Sequence, residues 1–91
     1  MRLVVATVKC EPHSEITSSE IEDSFWVSAS IGDRLEHVHA THSESAWYIC
    51  MYSKNQDAES VRTDADQLVR RALASIATIN RWKVLSVELT L

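Results

Sequence analysis

The chain has 91 residues, with 13 Asp or Glu against 9 Lys or Arg and a formal net charge of −4. That length sets one domain, expected over residues 1–91. The acidic balance argues against a nucleic-acid partner and against an anionic membrane surface, both of which call for a basic patch. Hydrophobic residues at 45% suffice for one modest core, and a single glycine and a single proline leave most of the chain to regular structure.

Residues 2–10 (RLVVATVKC) alternate, with Val4, Ala6, Val8 and Cys10 on one face. Leu3 and Val5 make the other face apolar too, the pattern of a central strand covered on both sides. The stretch is too short for a signal-peptide core, and no segment reaches membrane-spanning length, so a cytoplasmic protein with reduced thiols at Cys10 and Cys50 is expected.

Residues 11–23 are thin in apolar side chains and read as a loop with one or two helical turns, Ser14 offering a cap. Glu11, Glu15, Glu20, Glu22 and Asp23 fall here with no Lys or Arg between them. They make either a solvated loop or a contact segment complementary to a partner.

Gly32-Asp33 lies between two alternating runs, residues 24–31 and 34–42, and predicts a hairpin with a two-residue loop. In that register Val27 faces Val38 and Phe25 faces Ala40, while on the opposite face Trp26 meets His39 and Ser28 meets His37. Residues 46–53 form a second central strand, with Trp47, Ile49 and Met51 on one side and Tyr48, Cys50 and Tyr52 on the other.

Residues 58–79 predict a long helix: Ala58, Val61, Ala65, Leu68, Ala72, Ile76 and Ile79 recur at three- and four-residue steps. Asn55 or Asp57 caps its start, Asp66 and Arg70 pair across one turn, and Asn80 follows its end. Residues 82–91 make the last strand, with Leu85, Val87, Leu89 and Leu91 inward.

The expected fold is a two-layer α+β domain, a mostly antiparallel five-stranded sheet with one long helix (residues 58–79) on one face. One helix covers one face, so Leu3, Val5, Trp26, one side of the Trp47 strand, and Trp82 with Val84 belong to an uncovered side. A patch of that kind is expected to be closed by a second copy, as a homodimer, or by another protein. The competing expectation is that residues 11–23 fold across it.

Candidate binding residues are Trp26, His37, His39, Trp47 and Trp82. His37-Val38-His39 points two imidazoles to one side of a strand, but a zinc-type site needs a third ligand, and Glu36 and His42 have the wrong parity. No metal and no cofactor are expected. One glycine rules out a glycine-rich phosphate loop, and no nucleophile elbow is present. The function expected is a small non-catalytic interaction module, of the inhibitor, immunity-type or assembly-factor kind. The alternative is a small-ligand or metal-binding protein, including a dimeric α+β-barrel-type enzyme, with its site around Trp26, His37 and His39.

Residues 67–88 (QLVRRALASIATINRWKVLSVE) resemble the helix-then-strand unit of dodecins, small flavin-binding proteins that assemble into hollow shells. In that family a tryptophan opening the strand takes part in flavin stacking, as Trp82 opens it here. Dodecins place a hairpin after this strand, whereas here the expected hairpin precedes it, so the likeness is one of packing.

Overall fold

A computed structural model describes residues 2–11, 16–43, 45–55, 57–77, 79 and 81–90. Its elements are β1 (Arg2–Glu11), α1 (Ser18–Ser28), β2 (Leu35–His42), β3 (Trp47–Ser53), α2 (Ala58–Ala74) and β4 (Arg81–Leu89), with a short 3-10 turn at Ile31–Asp33. The four strands form one sheet in the order β2-β3-β1-β4, antiparallel at every pairing. β1 and β3, the two strands apolar on both sides, hold the interior positions. Each helix links strands that lie one apart, β1 to β2 and β3 to β4. This is the split β-α-β order of the ferredoxin-like arrangement.

The α+β class stands, but the sheet has four strands rather than five and the helix layer has two helices rather than one. The difference lies in residues 18–31. Thr17 accepts the Glu20 N–H on its side chain at 3.1 Å and starts α1. Ile21 and Phe25, four apart, are fully buried on one side of that helix. The alternation expected of a strand would have buried Val27 and Ile31 as well, and these are 85% and 96% exposed. Gly32 has no positive φ; the left-handed residue is Arg34, at φ 51°. The turn is closed by Asp33, whose Oδ2 accepts the Ser30 N–H at 2.8 Å. Ser14, expected to cap a helical turn, lies outside the described residues.

In α2 the Asp57 side chain accepts the N–H groups of Glu59 and Ser60, as its capping position requires. The helix stops at Ala74, earlier than its apolar stripe suggests. Ile79 is nevertheless buried and Ile76 packs on the core, so the chain beyond the helix still contributes apolar surface. Asn80 lies outside the described residues.

The core is one cluster between the sheet and both helices. Val4, Ala6 and Val8 of β1 and Ile49 of β3 meet Ile21 and Phe25 from α1, and Leu68, Val69 and Ala72 from α2. Each large side chain buried there contributes roughly 1.5–3 kcal/mol. β4 departs from simple alternation. Its register against β1 shifts between Thr7 and Val8, leaving Leu85 45% exposed. The shift turns Val84 and Trp82 toward the core, opposite Val8 and Cys10, instead of toward the uncovered side. Leu91 lies outside the described residues. Among the described residues, no helix is long and apolar enough to cross a membrane.

Candidate functional site: the open sheet face

Because both helices pack on the side that carries Val4, Ala6 and Val8, strand alternation sends Leu3, Val5, Thr7 and Lys9 to the other side. The registers assemble that side into rows. His37, Tyr52 and Leu3 lie in line; His39, Cys50, Val5 and Glu88 form the next row; then come Thr41, Tyr48, Thr7 and Ser86. Lys9 and Lys83 pair beyond them. The centre is apolar and half-buried, at Leu3, Val5, Cys50 and Tyr52, with Tyr48 exposed beside them. His37 and Tyr52 approach with ring centroids 5.9 Å apart.

His37 and His39 share this face, as expected. Trp26 does not: it is carried by α1 in the opposite layer, so the indole–imidazole surface drawn from the hairpin does not form. Trp47 is buried on the helix side, its ring 4.7 Å from that of His42, and its Nε1 has no hydrogen-bond partner among the described residues. Trp82 is half-buried against the core. None of the three tryptophans stands on the open face; its aromatic residues are Tyr48 and Tyr52. Their shared side follows from the alternation of residues 46–53, which sets Tyr48 and Tyr52 opposite Trp47 and Ile49.

The acidic segment is divided. The Glu11 side chain and Glu15 lie outside the described residues, Asp23 is exposed, and Glu20 accepts the Thr17 hydroxyl at 3.2 Å. Glu22 turns to the sheet. Its Oε2 accepts the Ala40 N–H at 2.9 Å and stands 3.5 Å from His39 Nδ1. The described part of the segment forms a helix in the covered layer and does not lie across the open face.

The two cysteines are unbridged and sit on opposite sides of the sheet, Cys10 buried with the core and Cys50 half-buried on the open face. Burial pushes the Cys10 thiol up to about 11, because an apolar site penalises the thiolate. Among the described residues, no group of three or more His, Cys, Asp or Glu is placed to hold a metal ion, so His37 and His39 have no third ligand from that set.

Compared with protein-family models, with curated proteins and with solved structures, the chain gave no match.

Proposed function

We propose that this chain is a protein-interaction module whose working surface is the open sheet face, and that the first occupant of that face is a second copy. The observation that carries this reading is the half-exposed apolar centre formed by Leu3, Val5, Cys50 and Tyr52, on the side of the sheet away from both helices. Contiguous apolar surface of this sort marks association sites.

The strand order favours a copy of the same chain. Face-to-face stacking about a twofold axis parallel to the strands lays β1 over β3 and β2 over β4. Tyr52 then meets Leu3 of the other copy, Cys50 meets Val5, and the His39 imidazole meets the Glu88 carboxylate. Apolar centre falls on apolar centre, and base on acid. Roles suited to such a module are inhibitor, immunity-type antidote or assembly factor.

The test is sedimentation equilibrium of the parent chain and of Val5→Lys, with Cys50 alkylation followed in parallel. The parent is expected to dimerise and to protect Cys50 as concentration rises. Val5→Lys is expected to be monomeric, with an unchanged circular dichroism spectrum. A parent that stays monomeric, with Cys50 equally reactive at all concentrations, sinks the proposal.

A further inference from the structure

The strands at the two ends of the sheet, β2 and β4, each present a row of backbone N–H and C=O groups away from their single neighbour. Such rows are templates for strand addition by another chain. Here each row is met by a charged side chain from the helix layer. On β2, the outward N–H of Ala40 donates to Glu22 Oε2 at 2.9 Å. On β4, Thr90 N–H donates to the Leu3 carbonyl at 2.8 Å. Antiparallel alternation therefore turns the backbone groups of Val87 outward. The Val87 carbonyl accepts from Arg62 Nε at 2.9 Å.

The two contacts are chemically matched to their targets. An anion takes the edge donor and a cation takes the edge acceptor, both as charge-assisted bonds. They come from different helices, across 18 and 25 residues of sequence, so neither is a local turn contact. Each edge also carries a register shift, between Leu35 and His37 on β2 and opposite Thr7 and Val8 on β4. Bulges of this kind twist an edge away from flat pairing.

We propose that Glu22 and Arg62 are edge guards, closing both hydrogen-bonding edges of the sheet against a strand from a second copy of this chain. An incoming strand has to displace the guard before it can pair. The proposal stands whether or not the open face dimerises, and its test is run where face pairing is blocked.

In the Val5→Lys background, Glu22→Ala with Arg62→Ala is expected to give assemblies that grow with concentration. Their association constant should rise by about tenfold or more over Val5→Lys alone, with an infrared signature of intermolecular strands. Two further variants separate the hydrogen bond from the charge. Glu22→Asp keeps the charge and loses reach; it should speed exchange of the Ala40 amide and promote association. Glu22→Gln loses the charge but keeps an acceptor oxygen; it should weaken the Ala40 bond only partly and change both by less than Glu22→Asp. If the alanine pair does not fold, Glu22→Asp carries the same expectation. Folded variants that sediment like Val5→Lys alone overturn the proposal, as does Glu22→Gln associating as strongly as Glu22→Asp.

Discussion

Arg71 on α2 places Nη2 2.9 Å from Oδ2 of Asp33, in the turn that leads into β2. The same oxygen accepts the Ser30 N–H at 2.8 Å and the Ser30 hydroxyl at 3.1 Å, and the Asp33 side chain is only 9% exposed. One carboxylate oxygen thus closes the turn and ties it to the helix layer. Asp33→Ala removes all three bonds and is expected to lower unfolding free energy by roughly 1.5–3 kcal/mol. Arg71→Ala should have a smaller effect, about 1 kcal/mol or less, since the turn keeps its Ser30 bonds. Urea denaturation measures both; an Asp33→Ala loss below about 0.5 kcal/mol would remove the anchor role.

Phe25 and Val27 separate a helix from a strand in a single experiment. Two residues apart on a strand, they would share a face and be equally costly to change. On α1, Phe25 is fully buried while Val27 is 85% exposed. Phe25→Ala is expected to destabilise by about 3–5 kcal/mol, a large part of the stability of a domain this size. Val27→Ser should stay within about 0.5 kcal/mol of the parent. Similar thermal shifts for the two variants would contradict α1.

Burial of the Cys10 thiol makes stability fall at alkaline pH. Its thiol ionises near 9.0 when free and about 11 when folded. The native state therefore holds the proton more tightly than the unfolded chain. The contribution is complete below pH 9 and is lost as pH rises from about 9 to 11, a loss of the order of 2–3 kcal/mol. Cys10→Ala should flatten that decline in guanidinium midpoints measured across the same range. An identical decline in the variant would assign it to other groups.

Much of the architecture is legible locally. The alternation of Val4, Ala6, Val8 against Leu3, Val5 marks β1 as interior, and the spacing of Val61, Ala65, Leu68 and Ala72 marks α2. The open face also follows from the sequence, because side-chain parity assigns Tyr48, Cys50 and Tyr52 to the side away from Trp47 and Ile49. Residues 18–31 carry a strand-like signal because Phe25, Val27, Ala29 and Ile31 alternate, and a short apolar run has two admissible periods. The Thr17 cap and the four-residue step from Ile21 to Phe25 are the competing signal.

What the chain determines by itself is therefore what depends on neighbours in sequence: capping, and period and parity where a run admits a single reading, as in β1, β3 and α2. What only the tertiary structure decides is what depends on register between distant segments. Trp82 turns inward because β4 slips by one residue against β1, and Trp26 leaves the histidine face because α1 packs in the helix layer. Glu22 finds Ala40 and Arg62 finds Val87 only after the helices dock, since no local rule brings a side chain to a strand edge 18 or 25 residues away.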